Sequence, residues 1–164
     1  MKRRNSPGSR AAGPAGRPIP AIVIAVCGSI AIAGVGAALA APNGISVSGQ
    51  WFRLIMPSLP AAGYFTVSNG TGTPQTLVGA QSPACGTLML HQSVSKNGEE
   101  RMITVPSIPV PAHGSIRFAP SGYHLMCMSP GPAMTPGQSV PVTFRLANGE
   151  TVSATFPVRG ATGK

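Results

Sequence analysis

Residues 137–158 read Gly-Gln-Ser-Val-Pro-Val-Thr-Phe-Arg-Leu-Ala-Asn-Gly-Glu-Thr-Val-Ser-Ala-Thr-Phe-Pro-Val. Val140, Val142, Phe144 and Leu146 alternate with polar or turn-compatible residues, and Val152, Ala154, Phe156 and Val158 alternate back. Period-two alternation gathers the apolar side chains on one face of a strand, and Asn148-Gly149 between the runs is a two-residue hairpin signal. The stretch predicts an antiparallel hairpin with one buried face. Shorter segments of the same character lie upstream: Ile45–Val47 and Trp51–Leu54 as a first pair, then Gly63–Val67, Thr76–Ala80, Thr87–Val94, Arg101–Val105, Ser115–Phe118 and Tyr123–Met128. With 18 Pro and 21 Gly punctuating the chain and no helical periodicity of useful length, eight or nine short strands predict an all-β sandwich or small barrel.

Charge and composition narrow the chemistry. The chain has 164 residues, 12 Lys+Arg and 3 Asp+Glu, for a net charge of +9. Every acidic residue is a glutamate: Glu99, Glu100 and Glu150. Paired-carboxylate hydrolysis, carboxylate-bound Mg²⁺ or Ca²⁺ and a Ser-His-Asp triad therefore lack their acids, and the protein reads as a non-enzyme. Lys2, Arg3, Arg4, Arg10 and Arg17 all precede residue 18, while the other cations are scattered along the chain. Nucleic-acid binding needs a basic patch interleaved with aromatics, and neither is visible.

Residues 19–41 run without a charge after that basic stretch and end with small residues around Ala38-Leu39-Ala40. A positive n-region, an apolar h-region and an A-x-A site are the parts of a secretory signal peptide. Uncleaved, roughly 20 apolar residues would instead anchor the chain in a membrane. Either way residues 1–41 predict an extracytoplasmic location, such as the periplasm, with any membrane contact confined to 19–41. Residues 42–159 are then one domain, and 160–164 a flexible tail.

Seven Met and three His bias the exported part toward soft-ligand chemistry. Ten residues separate His91 from Met102, twenty-one separate Met102 from His124, and one separates His124 from Met126. His124 and Met126 share a strand face, because side chains alternate. A sandwich can bring all four to one edge. Two imidazoles and two thioethers make a neutral, soft set that suits Cu(I), whereas Zn²⁺ prefers thiolate, imidazole or carboxylate. Met89 and Met128 share the parity of His91 and Met126 and read as neighbours that shield the site. His113 reads as a turn residue.

The pattern His-x10-Met-x21-His-x-Met resembles the signature of the periplasmic copper chaperones called PCuAC (the DUF461 family). Segments 61–71, 77–91, 108–128 and 137–158 are similar to that family's in the same order, so the resemblance covers about residues 45–158. It implies a single cupredoxin-like Greek-key β-sandwich or barrel. It also implies Cu(I) held by His91, Met102, His124 and Met126, and delivery toward the CuA centre of cytochrome c oxidase subunit II, with or without a Sco-type copper protein. Two departures stand out. Ser93 occupies a position where many relatives have Met, and Arg159–Lys164 contain none of the Met or His of the relatives' Cu(II)-binding tails.

Cys85 and Cys127 belong to no such signature. They read as a disulfide, as buried free thiols or as a thiol assisting copper, and Cys127 should face away from Met126 and Met128. Two rival functions stand beside the chaperone. A blue-copper-like electron carrier would need a Cys thiolate with two His and a weak axial Met. A non-metal interaction β-sandwich would need none of the four residues.

Overall fold

The computed structural model describes residues 44–96 and 98–163. The segment read as a signal or anchor, 1–41, lies outside them. Ten strands follow in chain order: β1 Ile45–Arg53, β2 Ala61–Asn69, β3 Gln75–Gln81, β4 Cys85–Lys96, β5 Glu99–Thr104, β6 Ile108–Val110, β7 Ser115–Phe118, β8 Tyr123–Pro130, β9 Ser139–Leu146 and β10 Thr151–Arg159.

The hydrogen-bonded order is β5-β4-β8-β7-β2-β1-β10-β9-β3-β6, with β2 pairing β8 as well as β7. This single open sheet folds over itself in the all-β sandwich expected from the sequence. The fold-over is visible in the aromatic core. Phe65 of β2 stacks on Phe118 of β7 at 4.0 Å between ring centroids, and it also meets Phe144 of β9 at 4.8 Å and Phe156 of β10 at 5.7 Å. Strands β1 and β10 link the two halves in parallel through Phe52↔Val158 and Arg53↔Arg159.

The alternation that predicted the last hairpin appears as burial. Val140, Val142, Phe144 and Leu146 are buried on β9, as are Val152, Phe156 and Val158 on β10. Its turn differs from the two-residue form. The Gly149 N–H donates to the Leu146 carbonyl (3.0 Å), and the Leu146 N–H donates to the Glu150 carbonyl (2.9 Å). Ala147 and Asn148 thus form the corner, and Gly149, at φ 87°, supplies the left-handed bulge residue of a longer loop. The Asn148 side chain secures this form by accepting from the Glu150 N–H at 3.0 Å.

Two strand assignments also change. Ile45–Val47 and Trp51–Leu54 are one strand, β1, because the register shift between Ser48 and Trp51 absorbs an irregularity without breaking the pairing to β2. Gly49 sits in that irregularity at φ 62°, a left-handed conformation that glycine adopts without strain. Strand β6, missed in the sequence, is only three residues long and carries a proline. It exists because its backbone pairs with β3, through Leu77↔Ile108 and Gln75↔Val110.

The segment read as a tail turns back at Gly160, whose carbonyl accepts from the Gly163 N–H at 2.9 Å. Arg53 Nε donates to the Ala161 carbonyl at 2.9 Å.

Gly63 of β2 lies between two bulky cross-strand partners, Phe52 of β1 and Leu125 of β8. A Cβ there would lie 2.7 Å from Phe52 Cε1 and 3.0 Å from Leu125 Cβ. Both neighbours are fully buried core residues. Gly63→Ala is expected to cost about 1–3 kcal/mol by overpacking, read as a fall in the denaturant midpoint at unchanged slope. An unchanged midpoint would show that Phe52 and Leu125 yield at this point.

Candidate metal centre

Three adjacent strands, β5, β4 and β8, build the site. In the β4–β8 ladder His91 lies directly opposite His124, Met89 opposite Met126 and Thr87 opposite Met128. In the β4–β5 ladder Ser93 lies opposite Met102 and His91 opposite Thr104. Residues opposite one another project from the same face. His91, Met102, His124 and Met126 therefore share one sheet face, although they come from separate stretches of chain. The structure brings all four predicted residues together on that face, with Met89 and Met128 among them as parity implied. Leu88, Leu90, Leu125 and Cys127 alternate with them and point into the core.

The two imidazoles form the centre of the face, with ring centroids 5.8 Å apart and planes at 72°. One ion bonded at about 2 Å to a nitrogen of each ring fits that spacing. His124 is only 4% exposed, whereas Met102 is 61% exposed. The face thus has a sheltered floor and an open thioether rim.

Hydrogen bonds define what each ring offers. His124 Nδ1 donates to the Gly122 carbonyl at 3.1 Å, since a carbonyl can only accept, and this leaves the Nε2 lone pair free. His91 Nε2 lies 3.2 Å from Thr104 Oγ1. Its Nδ1 is buried and has no hydrogen-bond partner. Burial first, and the neighbouring His124 second, hold the His91 pKa below the ordinary 6.5. At neutral pH the ring is uncharged, the state a metal requires.

Harder ligands do not gather nearby. Among the described residues no three His, Cys, Asp or Glu side chains lie where they could hold a metal ion. Glu99, on the edge strand, is taken up by Arg101 in an exposed pair at 2.7 Å. Only by counting thioethers does a four-donor set arise, and such a set selects a soft ion.

Of the three readings of the cysteines, the structure realises the disulfide: Cys85 and Cys127 are joined, with Cα atoms 5.4 Å apart. The bond lies behind the His/Met face, because Cys127 is fully buried on the core side of β8. A blue-copper centre needs a thiolate, and Cys127 in this state supplies none. His113 occupies a turn at φ 51°, as its sequence context implied. The contacts of Thr104 and of the Gly122 carbonyl were not anticipated. Thr104 shares the parity of Met102, a signal that was available; the carbonyl of Gly122 carries no side-chain signal at all.

The molecule is thus a small domain of cupredoxin-like fold, with a His/Met cluster on three strands of its sheet. Residues 45–158 match the LpqE-like family, described as "Putative lipoprotein LpqE-like". The chain belongs to that family, the DUF461 group to which the resemblance pointed. A curated relative, "Putative lipoprotein Lxx21020" of Leifsonia xyli subsp. xyli (strain CTCB07), is 34% identical over 122 residues, which are 74% of this chain and 73% of the relative. The solution structure of CuI-DR1885 from Deinococcus radiodurans is similar at 27% identity and a TM-score of 0.56, covering 76% of this chain and 83% of that one. The copper-bound PCuAC domain from PmoF2 shares the fold at 19% identity and a TM-score of 0.59, covering 71% of this chain and 93% of that domain.

Proposed function

We propose that this protein is an exported Cu(I) metallochaperone that carries the ion on His91, Met102, His124 and Met126 and passes it on by ligand exchange. The observation that carries the reading is the β5–β4–β8 register, which gathers two imidazoles and two thioethers on one face. Copper is cargo here, so release matters as much as binding. Four neutral donors hold Cu(I) without the charge of thiolates. An acceptor offering thiolates at the exposed Met102 rim displaces the donors one at a time, so the ion is never free in solution. The named copper forms of DR1885 and of the PmoF2 domain support copper as the ion, and the former supports the Cu(I) state. Both are named for bound copper and not for a reaction, which supports a carrier over an enzyme. The lipoprotein names of the family and of the Leifsonia relative support an exported, membrane-associated location.

As acceptor we propose the CuA site of cytochrome c oxidase subunit II, directly or through a Sco-type protein. Equilibrium dialysis against Cu(I) under reducing conditions is expected to give one ion per chain, and Cu(II) is expected to give no intense blue absorbance. No retained Cu(I) would overturn the chaperone reading. A Cu(I)-loaded protein mixed with a copper-free CuA domain should lose its ion to that domain. Retention of all copper by the donor would overturn the choice of acceptor.

A further inference from the structure

His91 Nδ1 is the one buried side-chain nitrogen or oxygen among the described residues that has no hydrogen-bond partner. Buried polar groups are almost always satisfied, so an exception asks for an explanation. The other ring nitrogen, Nε2, faces Thr104 Oγ1 at 3.2 Å. Two tautomers are consistent with that contact. If Thr104 donated to Nε2, the proton would sit on Nδ1, a buried N–H with no acceptor. If instead Nε2–H donates to Thr104, Nδ1 carries a lone pair, and the Thr104 hydroxyl proton is free to reach water from an exposed edge strand. The second arrangement leaves no orphaned donor. It leaves an orphaned lone pair on a ring of the His/Met face whose centroid is 5.8 Å from that of His124.

The two imidazoles are then fixed in opposite senses. His124 Nδ1–H is held by the Gly122 carbonyl, so its Nε2 is free. Which nitrogen of a histidine is metallated is set by the hydrogen bond that the other nitrogen makes. We propose that Thr104 is a positioning residue that accepts from His91 Nε2–H and so presents Nδ1 to Cu(I), while the Gly122 carbonyl presents His124 Nε2. The proposal rests on the copper reading above. It adds to it a residue outside the four donors and a different coordinating atom for each ring. Thr104 is two residues from Met102 on the edge strand and directly opposite His91. One short strand thereby supplies both a thioether and the outer support of an imidazole.

The test uses the 15N-labelled full chain. In the copper-free protein, long-range 1H–15N spectra are expected to show His91 protonated on Nε2 and His124 protonated on Nδ1. Cu(I) is diamagnetic, and its addition is expected to shift His91 Nδ1 and His124 Nε2 rather than their partners. Thr104→Val keeps a β-branched side chain on an exposed strand and removes the acceptor. It is expected to abolish the His91 tautomer bias and to weaken Cu(I) binding about tenfold, and Thr104→Ser is expected to restore both. A His91 ring protonated mainly on Nδ1 in the copper-free protein overturns the proposal. So does a Thr104→Val variant with unchanged tautomer and affinity. If Cu(I) shifts no imidazole nitrogen at all, the copper reading itself falls, and the tautomer spectra separate that outcome from failure of the Thr104 assignment alone.

Discussion

Replacing His124 and Met126 together by alanine is expected to lower Cu(I) affinity by about a hundredfold or more, equivalent to about 2.7 kcal/mol. Both residues project from β8 onto the face that also carries His91 and Met102, so the change removes one imidazole and one thioether from a set of four. Competition against a Cu(I) chelator measures the loss. The variant should stay folded, because neither side chain belongs to the aromatic core. His124→Ala does remove a buried ring and leaves the Gly122 carbonyl without its donor, a cost of about 1–3 kcal/mol. Met102→Ala therefore provides the cleaner companion. Its side chain is 61% exposed, so the thermal midpoint should hardly move while affinity falls about tenfold. Undiminished competition in the double variant would end the copper assignment.

Removing the Cys85–Cys127 disulfide is expected to give the largest stability loss of any single change at a distance from the cluster. The cysteines are 42 positions apart, and the chain-entropy account assigns a loop of that length about 4 kcal/mol. A domain of this size has only about 5–15 kcal/mol in total. Reduction, or the Cys85→Ala/Cys127→Ala pair, should lower the thermal midpoint by roughly 10–20 °C. Alanine is the appropriate replacement because Cys127 is fully buried, and a serine hydroxyl there would lack a partner. Below the lowered midpoint the pair variant should still bind Cu(I), since the bond lies on the core side of β8 and the donors on the other. A variant that folds but no longer binds Cu(I) would show that the disulfide holds the β4–β8 register that aligns His91 with His124.

The His/Met face was legible because strand periodicity is local. His124 and Met126 had to share a face wherever β8 ended up, and Met89 and Met128 followed the same parity. That His91 lies directly opposite His124 was not legible, since a one-residue slip between β4 and β8 would have sent the two rings to opposite faces. The buried Leu88, Leu90, Leu125 and Cys127 fix the alignment by occupying the core side of the same two strands. Strand β6 escaped notice for the opposite reason. Its three residues have little preference of their own, and only the open backbone edge of β3 makes a strand of them. The Asn148-Gly149 signal correctly marked a reversal but not its form. The Asn148 side chain binds the Glu150 N–H and moves the corner back to Ala147-Asn148.

The class of fold follows from period-two alternation between frequent Gly and Pro, and the softness of the candidate site from many thioethers and almost no carboxylates. Both are properties of residue type and nearest-neighbour spacing, which need no knowledge of the rest of the chain. Long-range strand pairing was needed to bond the two cysteines and to set His91 beside His124, with ring centroids 5.8 Å apart. It also set Thr104 Oγ1 against Nε2 of His91 and the Gly122 carbonyl against Nδ1 of His124. Those outcomes depend on pairing between strands distant in sequence, and that pairing is settled by how the buried faces of β4 and β8 pack into a common core.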